Sequence, residues 1–147
     1  DEWSLVENSV LGLQRRPEFS RGGRLDTGAR AAWTARVAER FGTRHPGLAA
    51  PMRALSGGNQ QRFVAARALL SDPRLVIAYQ PARGLDINAT TAVYGGIREA
   101  CEAGAGALVV SYDLDELLEH CDRIVVTEGG RLHDPGTRDR DAIGRLM

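Results

Sequence analysis

The sequence predicts an α/β fold: a helical first part followed by a mostly parallel sheet with covering helices. Three observations carry that expectation. After residue 72, short continuous apolar runs alternate with helix-length segments, the pattern of strands covered by crossover helices. Before it, the chain is arginine-rich with apolar residues at helical spacing. Between the two, Ser56-Gly57-Gly58 stands shortly before the helix-patterned Phe63 to Leu70. At 147 residues and 43% hydrophobic, the chain is long enough for one real core but not for two. The shift in pattern divides it into a helical part, 1–72, and an α/β part, 73–147.

In chain order, loop-like patches lie at Arg21-Gly22-Gly23 and from Thr43 to Pro51, the latter carrying Pro46, Gly47 and Pro51. Between them Trp33, Val37 and Phe41 recur at helical spacing, and Asp26 or Thr27 can cap the helix they mark. That stripe reads as core packing. The turn signal Ser71-Asp72-Pro73 opens Leu75-Val76-Ile77-Ala78-Tyr79, a buried strand. A helix follows from Ala89 to Ala103, then a turn at Gly104 and Gly106, and a second buried strand over Ala107 to Ser111. Leu114 to His120 reads as a short helix. Arg123 to Thr127 reads as a third strand ending at the turn Glu128-Gly129-Gly130, and the tail from His133 is polar and frayed.

Composition removes several function classes. Basic and acidic residues balance at 19 each, so no net field holds nucleic acid or an anionic membrane. Every basic residue apart from histidine is arginine, which excludes a Schiff-base lysine and a lysine-containing phosphate loop within this chain. Cys101 and Cys121 form neither a zinc motif nor a disulfide framework, and no metal site is expected. No apolar run approaches the roughly 20 residues that cross a bilayer. The chain opens at Asp1 without a methionine, mid-pattern, as a fragment would.

The most specific feature is Leu55-Ser56-Gly57-Gly58-Asn59-Gln60-Gln61-Arg62. A serine and two glycines opening a helix make an anion site, because N–H groups are approachable where no Cβ intervenes and the helix dipole favours negative charge. Taken alone, a plain N-cap explains them as well. The segment resembles the LSGGQ signature of ATP-binding-cassette ATPases, in the LSGGNQQ form typical of carbohydrate and nucleoside importers. Further matches keep the family's order. Leu75 to Pro81 resembles the Walker B strand, and Arg83-Gly84-Leu85-Asp86 the D-loop. Val109 to Leu117 resembles the switch strand and its sequel, and Asp122 to Val126 with Gly129 to Leu132 the next strand and hairpin. Ser4 to Ser9 is similar to the stretch of the helical subdomain after the Q-loop. The resemblance implies a partial P-loop NTPase core without its Walker A half, plus the helical signature subdomain.

Three positions depart from the family. Where a working cassette has a Mg²⁺-binding aspartate, a water-polarising glutamate and a switch histidine, this chain has Tyr79, Gln80 and Tyr112. A tyrosine is neutral at pH 7 and glutamine cannot take a proton, so no hydrolytic residue is expected to be intact. The resemblance implies a second, degenerate cassette of a double-cassette importer. Leu55, Ser56, Gly57, Gly58, Asn59 and Gln60 would meet ATP held on the first cassette of the same polypeptide, and Gly84, Leu85 and Asp86 would lie at the cassette interface. Asp86 can equally cap the helix after it. ATP and Mg²⁺ would be held mainly by the partner cassette and by the Walker A loop. The other implied partners are transmembrane permease subunits and, indirectly, a substrate-binding protein, at the cytoplasmic face of the cell membrane. No nucleic acid is implied. The full-length protein would be an ATPase and this chain alone inactive. A scaffolding or regulatory module and a soluble non-transport cassette protein are the alternatives.

Overall fold

The computed structural model describes residues 2–21 and 23–147, so Gly22 of the first loop patch lies outside the described residues. The chain divides into two compact units, Asp1–Val76 with Pro81–Ala107, and Ile77–Gln80 with Leu108–Met147.

The first unit is built from capped helices. Ser4 and Glu7 form a reciprocal capping box that starts α1 (Leu5–Ser9). The Ser4 hydroxyl and backbone N–H both donate to the Glu7 carboxylate and hold it below the usual range. The short antiparallel strands β1 (Ser20–Arg21) and β2 (Arg24–Leu25) follow, with Gly23 at φ 76 between them. Asp26 caps α2 (Thr27–Arg40), its Oδ1 accepting the Ala29 N–H at 2.8 Å. The stripe on α2 is core, as its spacing predicts: Val37 is fully buried, Phe41 nearly so, and Trp33 packs edge-on against Phe19 with ring centroids 5.8 Å apart. Then come α3 (Gly57–Leu70) and α4 (Ile87–Glu102). Gly96 lets α4 approach closely, since a Cβ there would stand 2.8 Å from Phe41 Cζ and 3.0 Å from Leu69 Cδ1. Leu5, Val37 and Phe63 are completely buried in this unit.

Strands β3 (Leu75–Tyr79) and β4 (Gly106–Val110) pair with each other. At one end the Gly106 N–H donates to Arg74 O at 3.0 Å, and at the other the Gln80 N–H donates to Val110 O at 2.7 Å, so the two run parallel. The bounds of β3 match its apolar run and β4 lies one residue earlier than the expected 107–111, but the expectation that they are buried does not hold. Leu75, Ile77 and Leu108 are 59%, 68% and 51% exposed. A continuous apolar run reports strands that need cover on both faces, and a two-strand sheet within this chain provides too little.

The second unit carries α5 (Leu114–His120), the antiparallel hairpin β5 (Val126–Glu128) and β6 (Arg131–His133), and α6 (Arg140–Gly144). The third strand therefore begins later than its apolar run, at Val126, and includes Glu128, the first residue expected in the turn. Gly129 and Gly130, at φ 55 and 76, supply the left-handed backbone that the turn requires. The tail is also more ordered than its polarity suggests. Asp139 caps α6, and Ile143 is fully buried against Ile124 and Val126, with Leu114, Leu117, Leu118 and Leu146 around them. Ile143, with Leu146 beside it, anchors a short helix that composition alone assigns to a frayed end. Among the described residues, no helix is long and apolar enough to cross a membrane.

Candidate functional site

The signature segment is positioned by what surrounds it. Leu55 is buried, and the Gln60 amide donates to Leu55 O at 3.0 Å and to Met52 O at 3.3 Å, pinning the turn that enters α3. Ser56 occupies the N-cap position in extended backbone, yet its hydroxyl accepts no N–H from the helix. The first-turn N–H groups, which have no partner within a helix, therefore remain without a side-chain cap. They begin at Gly57, which is exposed and where a Cβ would meet nothing within 4 Å. Open donors, no obstructing side chain and a positive helix end together can receive an anion.

Gly58 serves a different purpose. A Cβ there would lie 3.2 Å from Gly84 O and 3.8 Å from Leu85 Cδ2, so the glycine lets the signature helix sit directly on the D-loop. Gly84 itself has φ 75, a left-handed conformation suited to glycine. Two side chains fasten the junction. The Gln61 amide donates to Pro81 O at 2.9 Å, and Arg62 pairs with the Asp86 carboxylate at 2.5 Å. The structure thus brings Leu55 to Gln60 together with Gly84, Leu85 and Asp86 in one unit. The motif spacing gave no register between the two segments, and nothing in it singled out the Arg62–Asp86 pair.

Asp86 also caps α4, accepting the Ala89 N–H at 2.9 Å. That bond foremost, with the neighbouring Arg62 charge, holds its carboxyl below the usual 3.8. A carboxyl depressed in the folded state contributes stability that is complete above its unfolded pKa and is lost as pH falls through the lower, folded value. The expected result is an acid-dependent penalty for Asp86→Asn. The urea midpoint of the variant should fall below wild type at pH 7, and the gap should close as pH drops below about 4. A gap that is constant with pH would contradict the ionised cap.

In the second unit, Tyr79 ends β3, Gln80 turns the chain away from it in left-handed backbone at φ 50, and Tyr112 follows β4. The two tyrosine hydroxyls hydrogen-bond to each other at 2.7 Å, with the rings edge-to-face at 6.3 Å. Sequence reasoning treated these residues as separate losses, because nothing in their spacing shows that they face each other. Mg²⁺ takes oxygen ligands with at least one carboxylate from such a site. The Tyr79, Gln80 and Tyr112 positions offer none, and so do not fit the ion. Among the described residues, no group of three His, Cys, Asp or Glu gathers to hold a metal. Cys101 and Cys121 are free thiols, and burial pushes the Cys121 thiol up.

With this geometry in place, relatives can be compared. The ribose import ATP-binding protein RbsA 1 of Streptomyces avermitilis is 41% identical over 129 residues, 88% of this chain and 24% of the relative. The nucleoside import ATP-binding protein NupA of Lactococcus lactis is 34% identical, over 99% of this chain and 29% of its own length. The chain thus spans about a quarter of the length of the curated relatives it matches. No protein-family model matches it. Among solved structures, the ATP-binding cassette MJ0796, in a dimeric post-hydrolysis state bound to ADP and Pi, superposes with a TM-score of 0.71. It is 24% identical, with 90% of this chain and 56% of that one covered. An ATP-binding subunit of an ABC transporter gives 0.68 at 23% identity, covering 98% and 56%. The fold is that of an ATP-binding-cassette ATPase core, with a small parallel sheet. Over most of its length the chain is homologous to ATP-binding-cassette proteins, and the curated relatives it matches are sugar and nucleoside import ATP-binding proteins.

Proposed function

We propose that this chain is part of the second, degenerate nucleotide-binding cassette of a sugar- or nucleoside-type importer, and that it supplies its signature to ATP held on the first cassette of the same polypeptide. The observation that carries the reading is an asymmetry. The helix start at Ser56, Gly57 and Gly58 is open to an anion, whereas Tyr79, Gln80 and Tyr112 leave no carboxylate or imidazole where hydrolysis needs them. Drift of the whole chain would have degraded both sets. In this reading Ser56, Gly57 and Gly58 meet the γ-phosphate of the partner's ATP, and Gln60 holds the signature turn. Asp86 secures the D-loop against α3 while Gly84 and Leu85 lie toward the opposing cassette. Mg²⁺ stays with the partner cassette and its Walker A loop. The protein then works at the inner face of the cell membrane on permease subunits, with a substrate-binding protein acting indirectly.

Turnover measurements test the assignment. This chain alone should show no ATP hydrolysis, and Gln80→Ala in the intact importer should change its rate by less than about twofold, because a group without a reacting role contributes little to the barrier. A rate for the isolated chain comparable to that of the paired cassettes would overturn the proposal.

A further inference from the structure

Asn59 stands third in α3, and both ends of its amide are committed. Its Oδ1 accepts the Arg44 backbone N–H at 2.8 Å, and its Nδ2 donates to Ser56 Oγ at 2.9 Å. The backbone donor fixes which end of the amide is oxygen, since an amide flipped the other way would set two donors face to face.

The consequence falls on Ser56. At an ordinary serine N-cap, the hydroxyl oxygen accepts an N–H from the first helical turn. Ser4 does so in this protein, accepting from Glu7 at 3.2 Å, and Asp26, Asp86, Asp113 and Asp139 cap their helices through their side chains likewise. At α3 the Ser56 oxygen instead accepts a side-chain amide, that of Asn59, and no first-turn N–H donates to it. A serine hydroxyl has one proton to give. With Asn59 donating into the oxygen, that proton cannot be directed at the Asn59 amide nitrogen and is available to another acceptor.

We infer that Asn59 is a positioning residue: it anchors to the backbone of the loop at Arg44 and orients the Ser56 hydroxyl as a hydrogen-bond donor to an anionic oxygen of the bound nucleotide, without touching the nucleotide itself. The inference rests on the proposed use of the signature in trans, and it gives Asn59 a role acting wholly through Ser56.

A double-mutant cycle in the intact importer tests it, with turnover read as kcat and KM for ATP. Ser56→Ala removes the donor, and by analogy with loss of one preorganised donor to a developing charge it should lower kcat about 100-fold. Asn59→Ala should lower kcat by about tenfold while leaving KM nearly unchanged, and Asn59→Gln, which keeps both amide functions, should recover part of that loss. The decisive value is the double variant. If Asn59 works through the serine hydroxyl, Ser56→Ala with Asn59→Ala is no slower than Ser56→Ala. If instead the two losses multiply, Asn59 acts independently and the relay is overturned, while Gly57→Asp still reports whether the signature is used. If Ser56→Ala and Gly57→Asp are both silent, the trans-signature reading falls, and the relay with it. Thermal melting of each variant separates loss of orientation from loss of fold, and a melting point lowered in Asn59→Ala together with a proportionate loss of active protein would also count against the relay.

Discussion

Gly57→Asp in the intact importer is expected to abolish ATP turnover while leaving the protein folded. The magnitude follows from charge. If the signature is used in trans as proposed, a carboxylate at the first position of α3 would stand beside the phosphate brought to the open N–H groups. Two like charges about 4 Å apart at an effective dielectric near 20 repel by about 4 kcal/mol, close to three powers of ten in rate. Nothing on the folding side competes with that effect. A Cβ at Gly57 meets no atom within 4 Å, and Gly57 is not among the glycines held at positive φ, so the substitution brings neither clash nor backbone strain. Gly57→Ala is therefore the natural control, with the same space filled and no charge added. Its turnover should stay within about a factor of a few of wild type, because only the close approach of the phosphate is affected. Wild-type turnover in Gly57→Asp would make the signature a relic and leave a scaffolding role as the better account.

That contrast depends on geometry the sequence only partly contained. The element order was readable because each strand and helix announced itself locally. Leu75 to Tyr79 is a strand with the bounds its apolar run suggests, and Leu114 to His120 is a helix with the bounds its leucine face suggests. Of the candidate site only the residue types were readable: Tyr79, Gln80 and Tyr112 carry no carboxylate wherever they point. What the sequence could not supply was register between distant segments. The Tyr79–Tyr112 hydroxyl bond, the seat of Gly58 on Gly84, and the amide of Asn59 reaching back to the backbone of Arg44 all join parts of the chain separated by loops or whole elements. Burial of β3 and β4 was misread for a related reason. An apolar run records what a strand is built to pack against, and it does not record whether that cover lies within the chain. Ile143 departs in the opposite direction, an apolar residue in a largely polar tail that packs completely.

The largest stability effect is expected at Phe63, which lies one turn beyond the signature on α3 and is fully buried. Phe63→Ala should destabilise the chain by about 3–5 kcal/mol, from lost transfer free energy together with the cavity left in a core that cannot fully collapse. The better helix propensity of alanine recovers at most about 0.7 kcal/mol, so the cavity decides the sign. Against a total stability of about 5–15 kcal/mol for a domain, the loss should appear as a large drop in urea midpoint followed by far-ultraviolet circular dichroism. Val64, next in sequence but 39% exposed, supplies the contrast: Val64→Ala should cost less than about 1 kcal/mol, since much of its surface already faces solvent. Phe63→Leu, which keeps much of the volume, should fall between the two. The ordering matters for function because α3 presents the signature at its N-terminus and rests on the core through Phe63 and Ala66, its two buried side chains. A seat that loosens here moves Ser56 and Gly57 with it. Phe63→Leu should therefore slow turnover in the importer more than its modest loss of stability accounts for, whereas Val64→Ala should leave turnover at the wild-type rate.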